Sequence, residues 1–331
     1  MHRVVPEFII EKYRAGQFNG SFRAAGMFLD LSGFSTLTDA LAKQGQYGAE
    51  VLVGLMHNVF DPLVASVFEH GGKIVGFAGD GILALFPIET DERATALNAL
   101  ASAWWIQRNL ASRAIQTTPF GSFSFSAKIG LSLGDVSWGI LSSATLDQST
   151  YYFRGKAVDD CANAEHLARA GETYLSRSLA DVLREDVLVE DGDAFGRLSG
   201  IRSRLPSPSA LRFPSFDSTV SRVFIPETIL HRDERGEFRQ AVNLFMRFPD
   251  LPNEKLQEFV QTLFRLKEQY GGLINRLDFG DKGCNMLMLW GAPVAYENDI
   301  GRALNFLLDL QASVDFPITT GVTYYIAHAG F

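Results

Sequence analysis

Hydrophobic and polar residues along the first half of the chain follow two alternating periodicities. Short apolar runs of strand-like composition occupy residues 25–30, 74–77, 82–86, 126–133 and 136–140. Apolar residues also recur every three or four positions, as in an amphipathic helix, and they do so over residues 47–69, 91–115 and 158–169. Strands and helices that alternate in this way predict a layered fold of the α/β or α+β class.

Residues 201–236 lose this periodicity and are rich in proline, serine and charged side chains. Such a composition is typical of a linker between domains, and residues 221–225 predict one short strand inside it. We therefore predict a first domain at 1–205, a linker at 206–236 and a second domain at 237–331.

Four segments of the first domain recur in the same order after the linker. The matching pairs are 25–29 with 242–246, 69–74 with 268–274, 79–80 with 280–281, and 128–131 with 319–322. The offset between partners drifts from about 217 to about 191 residues, as changes in loop length would cause. The chain thus predicts two tandem copies of one fold. The second copy breaks off one residue after Gly330, the match of Gly139, so we expect it to be incomplete and the chain to be a fragment.

The overall composition excludes several classes of protein. The chain has 331 residues, of which 47% are hydrophobic and 21% charged, as in an ordinary globular protein with room for two cores. Its net charge of −8 argues against nucleic acid or an anionic membrane as a partner. No run approaches the roughly 18 uninterrupted apolar residues of a membrane span, and the N-terminus has no signal-like core. The two cysteines form no disulfide framework, so we expect a soluble, cytoplasmic protein.

Asp30 and Asp80 are the strongest candidates for chemistry. Each carboxylate lies in an apolar, strand-like run, where a charge is costly to bury without a partner. Asp30 is followed by the small-residue turn Ser32-Gly33 and then by a predicted helix, an arrangement that directs backbone N–H groups towards an anion. Two carboxylates beside such a phosphate-sized nest predict a divalent cation with oxygen ligands, Mg²⁺ or Mn²⁺.

These segments together resemble the catalytic domains of the class III nucleotidyl cyclases, and most closely the tandem pair of the soluble adenylyl cyclase group. The segments that carry the resemblance are 28–34, 73–80, 134–136, 155–160 and 279–284. The resemblance implies an α+β fold with a ferredoxin-like βαββαβ core in each copy, and pseudo-symmetric pairing of the copies. It also implies that ATP binds between them and is converted to 3′,5′-cyclic AMP and pyrophosphate by two-metal catalysis.

The resemblance further implies roles for single residues. Asp30 and Asp80 would bind two Mg²⁺ or Mn²⁺ ions, with the carbonyl of Leu31 as a further ligand. The backbone amides that would bind the phosphates are those of Ser32, Gly33, Phe34 and Ser35. In the second copy Lys282 would donate to the purine, which favours ATP because adenine N1 accepts a hydrogen bond whereas guanine N1 donates one.

The two copies differ at the places that matter for catalysis. Arg247 occupies the place of Asp30 in the second copy and cannot bind a cation, so the resemblance implies one composite site. The family's transition-state pair, an asparagine and an arginine, would lie beyond Phe331, and Asp159 and Asn163 take its place in the first copy. We therefore expect no catalytic pair within this chain, weak or no turnover by the chain alone, and further C-terminal domains in the full protein.

The soluble group is also sensitive to bicarbonate through two basic residues. Here their places are taken by Gly76 and Ala162. Without two cations, a small anion loses the charge-assisted hydrogen bonds that would hold it. We therefore do not assign bicarbonate activation.

Two other functions stay open at this point. A cyclase-like module without catalysis would bind nucleotide, or pair its two units, to regulate a downstream domain. A palm-like polymerase or a diguanylate cyclase also uses two carboxylates. That reading explains neither Lys282 nor the tandem repeat, so it ranks third.

Overall fold

The computed structural model describes residues 5–190, 192–210, 218–226, 229, 237–280, 283–292 and 294–329. The described part of the chain forms two main β-sheets, each packed against helices, and a separate short hairpin. One main sheet is built from the first predicted domain and the other from the second. The predicted α+β class is confirmed.

The first unit combines a long mixed sheet with helices on both of its faces. Its strands are β1 (Asn19–Ser32), β2 (Lys73–Ala78), β3 (Gly81–Pro87), β4 (Ile115–Thr118), β5 (Gly121–Ser124), β6 (Ser126–Ser142), β7 (Ser149–Arg154), β8 (Thr173–Ser176), β9 (Val187–Glu190) and β10 (Phe195–Ile201). Its helices are α1 (Glu7–Arg14), α2 (Phe34–Ala42), α3 (Gly45–Glu69), α4 (Glu92–Ser112), α5 (Lys156–Leu167) and α6 (Arg177–Val182). The sheet has the order β2-β3-β1-β6-β8-β10-β9, and β7 also pairs with β6.

Strand β1 lies at the centre of this sheet because β6 pairs with it along its whole length. Helix α5 packs directly on these two strands. A side chain at either Gly26 or Gly130 would collide with backbone atoms of α5. The two glycines, one in each strand, therefore set how closely this helix can approach the sheet.

Helices α3 and α4 cover the opposite face of the sheet. Met27 and Leu29 of β1 pack there with Leu63 of α3 and Leu100 of α4, and all four side chains are fully buried. By length and composition α3 could also cross a membrane, with a mean hydropathy of 1.6 over its most apolar window. Its packing against the sheet gives many of its apolar residues a place in the core.

Strand β6 is one continuous strand, where the sequence predicts two, at 126–133 and 136–140. The prediction was wrong because Gly134-Asp135 is a dipeptide typical of turns. In the structure Gly134 lies opposite Ala24 of β1. The strand continues through this dipeptide because β1 offers it a partner at each position.

The predicted linker contains a helix, α7 (Ser218–Phe224), and not the strand that the sequence predicts at 221–225. Phe224 makes edge-on ring contacts with Tyr13 of α1 and Tyr151 of β7, at centroid distances of 5.4 and 6.1 Å. Val220 lies four residues before Phe224 and packs against the same buried cluster. The apolar residues of this segment thus form one face of a helix that covers the first unit. The domain boundaries themselves stay predictions.

The second unit repeats the order of elements found in the first. It consists of β11 (Glu237–Phe248), α8 (Asn253–Tyr270), β12 (Leu273–Gly280), β13 (Gly283–Trp290), α9 (Asp299–Ser313) and β14 (Thr319–Ala329). Its sheet has the order β12-β13-β11-β14, which matches β2-β3-β1-β6 of the first unit. This succession confirms the predicted βαββαβ core and its tandem duplication.

The pairing register of the strands repeats as well. Met27 lies opposite Leu131 in the first unit, and Leu244 lies opposite Val322 in the second. The spacing from Met27 to Leu244 and from Leu131 to Val322 equals the spacing of the sequence segments that contain them. The repeat seen in the sequence is therefore a repeat of structure, residue for residue, in these strands.

The two units pack against each other through β6 and β7 of the first and α8 and β12 of the second. Gln257 at the start of α8 donates a hydrogen bond of 2.6 Å to the carbonyl of Ser142 at the end of β6. Arg154 at the end of β7 donates to Asp250 at 3.0 Å and to Asn253 at 2.8 Å. The copies are thus joined by specific polar contacts.

Candidate metal site

The end of β1 and the tip of the β2–β3 hairpin bring Asp30 and Asp80 together. Strand β1 pairs with β3 as far as Leu29 opposite Ile82, so the next residue, Asp30, lies beside the end of the hairpin. Asp80 occupies the two-residue turn that joins β2 to β3. Glycine followed by aspartate suits such a tight turn. The two carboxylates that the sequence singles out therefore lie at one edge of the sheet.

The charges at this edge repel each other. Burial raises the pKa of the Asp80 carboxyl above its usual value, and the nearby carboxylates of Asp30 and Glu165 raise this pKa further. A backbone hydrogen bond and the ammonium of Lys128 act in the opposite direction. A cation bound between the carboxylates would relieve the repulsion, because an opposite charge favours the ionised form.

Lys128 of β6 provides an ammonium group at this edge. Its Nζ atom lies 2.8 Å from Oδ2 of Asp30 and 2.6 Å from Oε1 of Glu165, which belongs to α5. Burial alone would lower the pKa of Lys128, but its interactions with the carboxylates of Asp30 and Glu165 outweigh this effect and raise the pKa above its usual value. Lys128 is therefore a permanently charged partner of two acidic side chains at neutral pH.

Lys128 and Glu165 were not predicted from the sequence as members of the site. The Glu165 side chain is only 3% exposed. One signal could have found it, because Glu165 lies four residues after Cys161 and seven after Val158, on the apolar face of a predicted helix. A carboxylate on such a face needs a cationic partner.

The predicted phosphate-binding turn, residues 32–35, follows closely after Asp30 in the chain. Strand β1 ends at Ser32, and α2 begins at Phe34. Gly33 joins them with a positive φ of 103°, and a side chain there would meet the carbonyl oxygen of Ser124. The backbone thus turns sharply from strand to helix, as predicted for 32–35, and the first turn of α2 lies immediately after the carboxylate end of β1.

The donor set fits a hard divalent cation. Asp30 and Asp80 offer carboxylate oxygens, and the carbonyl of Leu31 is next to Asp30 in the chain. Among the described residues, no group of three or more His, Cys, Asp and Glu side chains is arranged as a metal centre. Mg²⁺ sites are often built in this sparse way, with one or two carboxylates, water and substrate phosphate oxygens as ligands. The residues present are suited to Mg²⁺ or Mn²⁺ rather than to Zn²⁺.

The second unit has the same backbone at this place but different side chains. Arg247 of β11 lies opposite Thr319 of β14, just as Asp30 of β1 lies opposite Lys128 of β6. Its guanidinium lies beside Gly283, at the end of the β12–β13 hairpin. The structural equivalence of Arg247 and Asp30 is therefore direct.

The remaining predicted residues have different positions. Lys282, the predicted base-binding residue, lies outside the described residues. Asp159 and Asn163 both lie on α5, where Asn163 is exposed. Gly76 lies at a bulge in β2, and Ala162 is buried on α5 at 4% exposure. The assignments made for these residues from the family resemblance stay predictions.

Comparison with known proteins decides the relationship. No family model matches the chain. It is 30% identical over 334 residues to adenylate cyclase type 10 of Oryctolagus cuniculus, and 24% identical over 342 residues to that of Homo sapiens. These alignments cover 86% and 88% of this chain. The chain is similar to adenylate cyclase type 10 over most of its own length.

This similarity confirms the resemblance to the nucleotidyl cyclases that the segments around Asp30 and Asp80 suggested. The chain spans only 20% of the rabbit adenylate cyclase type 10 and 21% of the human one. Among solved structures, the chain is similar to a guanylyl cyclase domain of the RhoGC fusion protein from Blastocladiella emersonii, with a TM-score of 0.46 and 18% sequence identity. The match covers 56% of this chain and 99% of the guanylyl cyclase domain. The chain is also similar to the adenylyl cyclase CyaB from P. aeruginosa with a TM-score of 0.46 and 17% identity over 57% and 99% of the two chains.

Proposed function

We propose that this chain is the metal-binding region of an enzyme that converts ATP to 3′,5′-cyclic AMP and pyrophosphate. The observation that carries the proposal is the meeting of Asp30 and Asp80 at the end of β1, immediately before the turn into α2. Two carboxylates that repel each other at a strand–turn–helix junction suit a divalent cation and the triphosphate that it accompanies. The names of the relatives support cyclase chemistry at this site.

Each part of this edge has one role in the proposal. Asp30, Asp80 and the carbonyl of Leu31 would hold two Mg²⁺ or Mn²⁺ ions, and such ions activate the ribose 3′-hydroxyl and neutralise the leaving pyrophosphate. The backbone N–H groups of residues 32–35 bind the phosphate oxygens, and the N-terminal end of α2 favours their negative charge. These contacts would hold the triphosphate at the metal-binding edge.

The second unit supplies the other side of the nucleotide site in this proposal. Arg247 stands where a metal ligand would be needed, so the β12–β13 hairpin serves the base, and Lys282 donates to adenine N1. ATP is then bound between the units. We expect weak turnover by this chain alone, because Asp159 and Asn163 do not combine the neutral amide and the cation that stabilise charge in the transition state.

A module without catalysis is the second candidate function. The ion pair between Asp30 and Lys128 favours it, because the ammonium neutralises a carboxylate that metal binding needs. In this case the chain binds nucleotide, or pairs its units, to regulate another domain. The polar contact between Gln257 and Ser142 would then be the functional contact.

Titration calorimetry with ATP and Mn²⁺ tests the proposed site. We expect binding by the unmodified chain and its loss in Asp30→Asn. Asp135→Asn is the matched control, because Asp135 lies on β6, is 75% exposed and interacts with Arg23. Equal binding by the Asp30→Asn variant and the unmodified chain would contradict the proposal. Formation of cyclic AMP, measured by mass spectrometry in the same samples and absent from Asp30→Asn, would separate the enzyme from the regulatory module.

A further inference from the structure

Lys128 is shared between two carboxylates that belong to different elements. Asp30 of β1 is 30% exposed and Glu165 of α5 only 3%, while Lys128 itself is 28% exposed. Both distances, 2.8 and 2.6 Å, place the ammonium in ion-pair contact with the two carboxylates. One of the two acceptors, Asp30, is the proposed metal ligand. The other, Glu165, has no role in the reaction described above.

The close docking of α5 on the sheet makes this arrangement possible. Lys128 and Gly130 lie two residues apart on β6, so their side-chain positions face the same side of the sheet. A Cβ at Gly130 would overlap the backbone of α5 at Cys161 and Glu165. Since the glycine lets this turn of the helix rest on the strand, Glu165 lies within reach of the Lys128 ammonium.

We propose that Lys128 is a built-in counter-cation of the metal site and that Glu165 is a positioning residue, which keeps the ammonium paired when Asp30 exchanges it for a divalent cation. This inference rests on the proposed function. The exchange breaks the contact between Asp30 and Lys128, and the contact between Lys128 and Glu165 persists. No proton is transferred in this step.

The energetic reason lies in the burial of the three groups. A partly buried ammonium that loses one of two carboxylate partners keeps the other ion pair, whereas one that loses its single partner is left as an unpaired charge. With Glu165 present, Asp30 can turn to the metal without this cost. With a neutral amide at position 165, Lys128 depends on Asp30 and competes with the metal for the same carboxylate oxygen.

Mn²⁺ binding, measured by the electron paramagnetic resonance signal of free Mn²⁺, tests this role without reference to turnover. We expect Glu165→Gln to weaken Mn²⁺ binding by about 10- to 100-fold, the range of a hydrogen bond to a charged group. The double variant Lys128→Met/Glu165→Gln removes the competing ammonium together with its partner and should bind at least as tightly as the unmodified chain. Glu165→Asp keeps the charge but shortens the reach to Lys128, so binding should again be weakened.

Two controls separate this inference from the proposed function. Asp30→Asn should abolish the Mn²⁺ binding at issue, and failure of this arm would overturn the proposed site itself. Glu190→Gln removes a carboxylate from the ion pair with Arg197, on the strands farthest from the site, and should change nothing.

Circular dichroism spectra check that each variant is folded. If Glu165→Gln is folded and binds Mn²⁺ like the unmodified chain, or if Glu165→Asp does so, the inference is wrong. A double variant as weak as Glu165→Gln would also overturn it. If Glu165→Gln does not fold, the double variant, in which positions 128 and 165 are both uncharged, decides alone. If the double variant then binds Mn²⁺ more weakly than the unmodified chain does, the proposed exchange of Lys128 for a divalent cation at Asp30 is refuted.

Discussion

Replacing Gly130 by alanine should destabilise the first unit, whereas the same change at Gly321 should not destabilise the second. The two glycines occupy equivalent places in the repeat, opposite Phe28 on β1 and opposite Phe245 on β11. A Cβ at Gly130 would overlap the carbonyl oxygen of Cys161 in α5. A Cβ at Gly321 would meet no atom within 4 Å. The pair therefore tests helix docking with a control from the same chain.

The size of the destabilisation depends on which atoms must move to make room for the added methyl group. A side chain can rotate away from an added methyl group, but the helix backbone at Cys161 cannot, so α5 must shift off the sheet. Overpacking of this kind costs about 1–3 kcal/mol, and lost apolar contacts of α5 add to it, so we expect Gly130→Ala to lower the free energy of unfolding by about 3 kcal/mol. Gly321→Ala should raise it by about 0.5 kcal/mol, because alanine restricts the unfolded chain more than glycine does.

Urea unfolding followed by far-ultraviolet circular dichroism measures both free energies of unfolding. A loss below about 0.5 kcal/mol for Gly130→Ala, the size of an ordinary surface substitution, would refute close docking of α5 at this position. A similar loss in both variants would refute the argument as well. Because α5 carries Glu165, a folded Gly130→Ala variant should also bind Mn²⁺ more weakly.

Three further predictions concern other parts of the chain. Replacing Arg93 by methionine should cost about 1–3 kcal/mol in urea unfolding, because its half-exposed guanidinium, 3.0 Å from Asp186, pairs with a buried carboxylate that also accepts a hydrogen bond from Ser203. Although burial opposes it, the hydrogen bonds from Ser203 and Arg93 hold the pKa of Asp186 below its usual value, so this stabilisation is present at neutral pH. It should be lost as the pH falls below about 4, a loss that thermal unfolding across pH would detect and that would be absent from Asp186→Asn. Burial raises the pKa of Asp80, so the ionised carboxylate destabilises the folded protein at neutral pH. Asp80→Asn should therefore raise the melting temperature of the metal-free protein and abolish Mn²⁺ binding. An unchanged or lower melting temperature would contradict this prediction. Arg154→Ala removes two hydrogen bonds between the units, and faster limited proteolysis at their junction, with unchanged melting of the first unit, is the expected result.

The repeat could be predicted from the sequence because duplication preserves spacing within strands. The number of residues between equivalent positions of the two copies changes only in the segments that connect the strands. The matched strand segments therefore suffice to predict that Met27 is equivalent to Leu244 and Leu131 to Val322. The meeting of Asp30 with Asp80 was suggested by the same local signals. Asp30 ends a strand-like run and precedes a tight turn, and Asp80 occupies a tight turn between two such runs. Local chemistry sufficed because one strand pairing brings these two ends together.

The other half of the site depends on contacts that no local pattern encodes. Lys128 follows Asp30 by almost a hundred residues and Glu165 follows Lys128 by 37, so their meeting requires both the pairing of β1 with β6 and the docking of α5. The helix α7 was missed for a similar reason. The apolar residues at its end resemble a strand until Phe224 is seen to pack on the first unit. Tertiary packing overrides local propensity in both cases.

The two copies differ in the pair of residues that faces the proposed metal site, as far as the described strands show. Asp30 and Lys128 face each other across β1 and β6, and their equivalents Arg247 and Thr319 face each other across β11 and β14. Like charges directly opposite each other on a sheet are unfavourable, so an arginine at 247 is compatible with threonine at 319 but not with a second lysine. The second copy therefore lacks both the carboxylate and its counter-cation at these positions. For the second unit to bind a metal in the same way, position 247 would need a carboxylate and position 319 its counter-cation. In the proposed function, a nucleotide bound between the units would therefore meet carboxylates on one side and a guanidinium on the other.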